Sequence, residues 1–398
     1  MLIKLKISEN LKVSLVPTPD LGLYQNAAMP ERPETSGLIA TLESPCHVPR
    51  LPPDFILDLS ESGIDFWPPR FQTIHGTYLV AHKDALLFGP NNLVTPDGYW
   101  SCETRQNKGY VIPFMHASFY NRIFPGPKPV IEYNRLPTRL DISNLSPGDV
   151  DVIEEPVFLA TPLEPLIWGR WVTTVLPKIL HYNNHAPTRR FFCSSALPWQ
   201  RDFLEFGGLP AELLLYHDPG RTYICRDVMT VEFSELDLFV SFKERENILA
   251  ITKKVEIDSS PRKIFLSRLS RSRAKPTYRA LQNEADLAGA LEAIGFVTVE
   301  PELLTVAQQV GLFSKAEVVV CPGGSGIFNA AFCPPSARFI TIESSGRYIN
   351  THAGVFASLG MRHGIIFGRE DTTDTTDIHK RWTLDIPPAI EAIESFSA

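Results

Sequence analysis

From Lys263 to Glu343 short apolar runs alternate with amphipathic stretches, and a repeat of strands and helices is the arrangement that satisfies that spacing. Lys263–Ser267 (KIFLS) reads as a buried strand, and a basic loop follows it. Asn283 then caps a helix that carries Leu287, Leu291 and Ile294 on one face and stops at Gly295. Phe296–Val299 is the next strand. Thr305 with Gln308 makes a capping box for a helix ending near Ala316, and Glu317–Cys321 is again a buried strand. Pro322-Gly323-Gly324-Ser325-Gly326 turns the chain into a helix over Ile327–Phe332, and the strand Arg338–Glu343 follows. This order predicts a parallel sheet covered by helices on both faces. A last helix, opened by Pro387-Pro388, runs to about Ser395.

The first half reads differently. Of the 34 prolines, 22 fall in the first 180 residues, so long helices cannot run there. Runs such as Phe71–Val80 and Ala85–Phe88 lie between the breaks and precede the turn signal Thr95-Pro96-Asp97-Gly98, which predicts small strands and loops up to about residue 130. A helix is expected over Trp168–Tyr182, a strand over Arg190–Ser194, and α/β alternation to about Lys253. The polar stretch Glu256–Pro261 divides the two patterns. The expected domains are therefore a lobe over 1–255 and a lobe over 256–398, whose last helix could pack back on the first.

At 398 residues, 44% hydrophobic and 21% charged, the chain has enough apolar material for real cores, and disorder, collagen and coiled coil are poor explanations of the whole. A net charge of -7 argues against nucleic acid as a partner while allowing one local basic anion site. The six cysteines include no pair at the spacing of a zinc knuckle or redox loop, which fits a reduced, cytoplasmic chain. Lysines interrupt Met1–Val16, so it lacks the apolar centre of a signal peptide, and no apolar run reaches the roughly 18 residues of a membrane span. Peripheral association with the inner membrane and homo-oligomerisation stay open.

Three features could carry chemistry. Between Arg262 and Arg279 stand seven basic residues and no acidic one. The run could be a solvated loop, but Arg268 to Arg273 follow the carboxyl end of a predicted parallel strand, where doubly wound sheets hold ligands, and arginine forks suit phosphate oxygens. The turn at 322–326 could be a bare strand-to-helix connection, or glycines and helix-terminal amides receiving an anion. It is neither a P-loop nor a hydrolase elbow, since Ile327 stands where the elbow needs glycine, and Asn329 breaks a dinucleotide fingerprint. Glu343 ends the next strand, where a carboxylate can accept two ribose hydroxyls or be an ordinary polar strand end. All three project from carboxyl ends of strands in one predicted sheet, and together they describe a site for a nucleotide diphosphate.

Over about Pro165–Ile390 the chain resembles the glycosyltransferases of family 61, of the capsular polysaccharide type. The resemblance is strongest in KIFLSRLSRSR (263–273), Arg279 with Asn283-Glu284, the helix near Ala307–Ala316, and EVVVCPGGSGIFNAAFCPP (317–335). It implies an α/β fold of two Rossmann-like lobes of GT-B type after a strand-rich, Pro-rich start, and an inverting reaction. A nucleotide-sugar donor, held mainly by the C-terminal lobe, would be a substrate and not a cofactor. Carried onto this chain, Ser267, Arg268, Arg273 and Arg279 serve the phosphates and the loop, Asn283 and Glu343 join the donor site, and Gly323, Gly324, Ser325 and Gly326 cradle the diphosphate. The chain departs from the family pattern at two places. Pro-His-Gly-Ala-Gly is here 322–326, with no histidine, and Gly-His-Trp is here Gly169-Arg170-Trp171, followed by Thr174 and Leu176-Pro177-Lys178 in place of the pattern's Asp and Leu-Pro-Arg.

The expected function is an inverting, metal-independent transfer of a sugar to a glycan or other hydroxyl acceptor in surface polysaccharide synthesis. No Asp-x-Asp motif precedes a suitable strand, so no metal site is expected. The base is unassigned. His116, in Pro113-Phe114-Met115-His116, is one candidate and could equally be a structural histidine. Arg170 could contact phosphate or acceptor, but a guanidinium does not act as a base at neutral pH. Two alternatives remain: a non-catalytic member that binds nucleotide sugar or serves as a partner subunit, and a serine hydrolase at Ser325.

Overall fold

Four strands from the C-terminal half are apolar almost from end to end, as strands buried on both faces must be. In the computed structural model Val318–Pro322 is buried throughout, and Ile264, Phe265, Leu266, Phe339, Ile340 and Ile342 are each at most 2% exposed. The structure describes residues 37–44, 46–49, 53–58, 71–74, 76–95, 100–101, 150–233, 240–255, 260–274, 279–344, 349–375 and 380–398. His116, Lys275, most of the turn at 95–98 and most of the stretch at 256–261 lie outside them.

The described chain divides into two units. One takes the described residues within 1–46, 73–166 and 174–236, and the other those within 47–72, 167–173 and 237–398. The second unit carries a six-stranded parallel sheet of β1 (Phe55–Asp58), β2 (Lys263–Leu266), β3 (Val297–Val299), β4 (Val318–Pro322), β5 (Arg338–Glu343) and β6 (Arg362–Phe367). Its order is β3-β2-β4-β5-β6-β1. The register sets Ile264 beside Val297 and Val319, Val320 beside Ile340, and Ile342 beside Ile366. From β2 onward this is a doubly wound order that reverses between β2 and β4, and open sheets of this kind bind ligands at such a reversal.

The helices of this unit are α1 (Phe242–Thr252), α2 (Leu269–Ala274), α3 (Glu284–Ala293), α4 (Val306–Phe313), α5 (Ile349–Ser358) and α6 (Ile386–Ser397). Thr305 and Gln308 form the expected capping box on α4: Thr305 N donates to Gln308 Oε1 (2.8 Å) and Gln308 N to Thr305 Oγ1 (3.2 Å). Asn283 sits at the cap position of α3, but its side chain does not cap the helix. Helix α6 begins with its two prolines and buries Ala389, Ile393 and Phe396 in the cluster that also holds Leu287 and Leu291 of α3. The helix after the glycine turn differs from expectation: Ser325–Phe332 is wound as a 3₁₀ helix. Its last six residues are all buried, so packing on every side outweighs the ordinary preference for short 3₁₀ pieces.

The edge strand β1 comes from the first half of the sequence. Asp54 fastens it, donating its amide to His363 O (2.7 Å) and accepting from Arg362 Nε and His363 N, both at 3.1 Å.

The first unit has a mixed sheet, in which a parallel α/β part is extended by antiparallel strands. Strands Leu214–Tyr216, Arg190–Cys193, Val157–Leu159 and Thr222–Phe233 run parallel, but Thr222–Phe233 pairs antiparallel with Thr77–Phe88 along its whole length. Two twelve-residue β-rich segments satisfy each other's ladders directly, with no need of a crossover helix. The expected helix at Trp168 extends to His185, with a π turn over Trp171–Val175. That turn lies immediately before Pro177, which has no N–H to give to a residue four back.

Candidate functional site

At the reversal between β2 and β4 the chain leaves both strands from their carboxyl ends. Ser267-Arg268 follows β2, and Gly323-Gly324 follows β4. Arg268 spans the gap: its Nη1 donates to Gly323 O at 2.9 Å. Gly323 N donates to Ile342 O (2.8 Å), tying the turn to β5 as well. Gly324 has φ +150°, a conformation that side chains resist, and it leads into the 3₁₀ helix with no side chain capping it. Amides at such a helix start face outward and favour an anion.

Glu343, at the carboxyl end of β5, is 2% exposed. Its Oε1 lies 2.5 Å from Nδ1 of His352 on α5, itself buried. A β-carbon built on Gly323 would stand 1.9 Å from Glu343 Oε2, so the carboxylate fills the space that a side chain at 323 would need. The glycine is required there by close approach.

A second buried carboxylate holds the other loop. Glu284, in the first turn of α3 and 1% exposed, accepts at Oε1 from Ser267 Oγ (2.9 Å) and from Arg268 N (2.5 Å). Leu269 N donates to Ser267 Oγ (3.1 Å), and Ser270 N to Glu300 Oε2 (3.0 Å). Burial raises the Glu284 pKa, against the lowering effect of these hydrogen bonds and of the Arg268 charge.

Ser267, Arg268, Gly323, Gly324 and Glu343 are thus brought together, with Ser325 and Gly326 opening the 3₁₀ helix beside them. Arg273 is exposed on α2. The side chain of Asn283 and the backbone carbonyl of Arg279 meet the segment 382–384. Arg279, at φ +53°, accepts from Trp382 Nε1 through its carbonyl (3.1 Å). The Asn283 amide donates to Leu384 O (2.8 Å) and accepts from Leu384 N (3.1 Å). Arg170 is buried at 6% exposure in the helix start 168–170, which fastens to the 3₁₀ helix through Trp168 Nε1 donating to Asn329 Oδ1 (3.0 Å).

Glu284 and His352 were missed as site residues in the sequence. Glu284 stands in the first turn of a predicted helix after the basic loop, a position that fits an ordinary dipole-favoured carboxylate equally well. His352 offered no signal beyond following a strand-end carboxylate by nine residues. Among the described residues no three His, Cys, Asp or Glu side chains come together as a metal-holding group, and no helix is long and apolar enough to cross a membrane.

A guanidinium and the start of a 3₁₀ helix meet at the sheet reversal, chemistry suited to an anion; Glu284 holds one loop through hydrogen bonds, and Glu343 packs against the glycine turn. No curated protein matches the chain. The model of the family Glycosyltransferase 61 matches residues 168–340, a segment that contains Ser267, Arg268, Glu284 and the glycine turn, and over it the chain is similar to that family.

Proposed function

We propose that the protein is an inverting glycosyltransferase that takes a nucleotide-sugar donor and passes the sugar to a glycan or other hydroxyl acceptor, in surface polysaccharide synthesis. The observation that carries this reading is Arg268 bonded across the sheet reversal to the glycine turn, inside the segment that matches the family. In the proposed reaction an acceptor oxygen attacks the anomeric carbon, the bond from that carbon to the diphosphate oxygen breaks, and negative charge grows on the leaving group. Arg268 and the amides of 324–326 meet that charge from fixed positions, which is where electrostatic stabilisation is most effective. Ser267 holds the loop, and Arg273 and Arg279 are assigned to the phosphates and the loop, as the resemblance implies. Glu343 is assigned to a ribose hydroxyl; its Oε1 is engaged with His352 and its Oε2 lies against Gly323.

The proton of the acceptor goes to a base that remains unassigned. Arg170 is buried and cannot act as one, and His116 keeps its candidacy. The non-catalytic reading draws support from Gly323: the family pattern places a histidine there, and here Glu343 occupies its room.

A donor-hydrolysis assay over a panel of nucleotide sugars, run with and without a chelator, tests the proposal. Release of nucleoside diphosphate from one donor, unchanged by the chelator, is the expected result. Saturable binding of nucleoside diphosphates without turnover of any donor favours the non-catalytic reading. Reaction of Ser325 with an activated ester would point to hydrolase chemistry.

A further inference from the structure

We propose that Glu284 is a positioning residue that sets Arg268 for the diphosphate, a claim that rests on the donor-site reading above. Glu284 is 1% exposed, and as a carboxylate it would repel a phosphate, so it does not serve as a ligand contact. What it touches is the backbone and hydroxyl at the end of β2. One oxygen receives both Ser267 Oγ and Arg268 N, and Ser267 Oγ receives Leu269 N. Three successive residues are thereby pinned where the chain turns from strand to loop. From that fixed backbone the Arg268 side chain reaches Gly323 O at 2.9 Å.

The cost of the arrangement supports a positioning role over simple packing. Among the described residues Glu284 Oε2 is buried with no hydrogen-bond partner, and a half-satisfied buried carboxyl is expensive to keep. An apolar side chain would fill the volume without that cost. It would not hold two donors on one oxygen and so fix the direction in which Arg268 leaves the strand.

A double-mutant cycle on the full chain, read by calorimetry with uridine, guanosine, cytidine and thymidine diphosphates, tests this. Glu284→Ala should weaken diphosphate binding by about tenfold or more, the scale of a lost charge-assisted contact. Placed on Arg268→Ala, the same change should weaken it by less than about twofold, because its effect passes through the guanidinium. Glu284→Gln retains an acceptor oxygen and should recover most of the loss. Glu284→Asp, one methylene too short, should not, and the amides of 267–270 should exchange faster in that variant. If Glu284→Ala does not fold, Asp carries the same cycle with Gln as its control. Losses that simply add with Arg268→Ala, or an Asp variant that binds like the parent while Arg268→Ala does not, would overturn the positioning role alone. A parent that binds none of the four diphosphates would overturn the donor-site reading and this inference with it.

Discussion

Gly323 has no room for a β-carbon, and the group in its way is a carboxylate that His352 also holds. Gly323→Ala must displace Glu343 from that contact, and we expect a loss of about 1–3 kcal/mol of stability, typical of overpacking. Gly326 is the matched control, because a β-carbon there meets Leu266 Cδ1 at 3.5 Å, an ordinary contact. Urea unfolding of the two variants checks this, and equal effects would show that crowding at 323 is not what demands glycine. The basic run and the turn were legible in the sequence because both are local patterns. The partners beneath them were not, since Glu284 and His352 reach their contacts across 17 and 9 residues of chain. Asn283 shows the opposite failure. Its cap position was read correctly, but its side chain is spent on Leu384, 101 residues away.

Among the elements, the 3₁₀ helix Ser325–Phe332 is held in place by distant chain. Trp168 donates to the buried Asn329 amide, and Gly169 lies against the Phe328 ring, where an added β-carbon would stand 2.4 Å from Cδ2. Trp168→Phe keeps an aromatic ring and removes the donor, leaving Asn329 Oδ1 buried without that hydrogen bond. The expected cost is about 1–3 kcal/mol, measured by urea or thermal unfolding. A variant as stable as the parent would mean that the indole N–H does not fasten the two helices. Strands β2 to β5 and helices α3, α4 and α6 were legible because apolar runs and caps are read within one element, whereas the stretch expected as a basic loop winds partly into α2, and α5 and β6 carried no expectation. The 3₁₀ winding was not, because it follows from burial on all sides. Nor was β1, a four-residue strand held in the sheet by Asp54 and β6.

For the whole molecule, acid is the informative stress. His217 is fully buried between Phe192 and Tyr223, and burial pushes its pKa down to about 3. His363 is likewise fully buried, and burial takes it down to about 4 against the smaller raising effects of Met361 O and Asp54. Both groups take up protons near pH 6.5 when unfolded and resist doing so when folded. Their contribution is therefore complete above pH 6.5 and is lost as pH falls from there through about 4 and 3. The urea midpoint should drop across that window and drop less steeply in His217→Gln; a parallel slope in that variant would mean His217 is not a source of the dependence. The parallel sheet was readable in the sequence from alternation alone. The mixed sheet of the first unit was not, because antiparallel pairing of 77–88 with 222–233 joins segments more than 130 residues apart.

In the proposed function the sheet reversal binds a diphosphate through Arg268. Calorimetric titration of the full chain and of Arg268→Ala with the four nucleoside diphosphates tests it most directly. At least one nucleotide should bind the parent saturably, and Arg268→Ala should lose about 1.5–3 kcal/mol of that binding, with Arg268→Lys recovering only part because an ammonium lacks the fork. Saturable binding that is equal in the parent and in Arg268→Ala, or no saturable heat from any of the four, would contradict it.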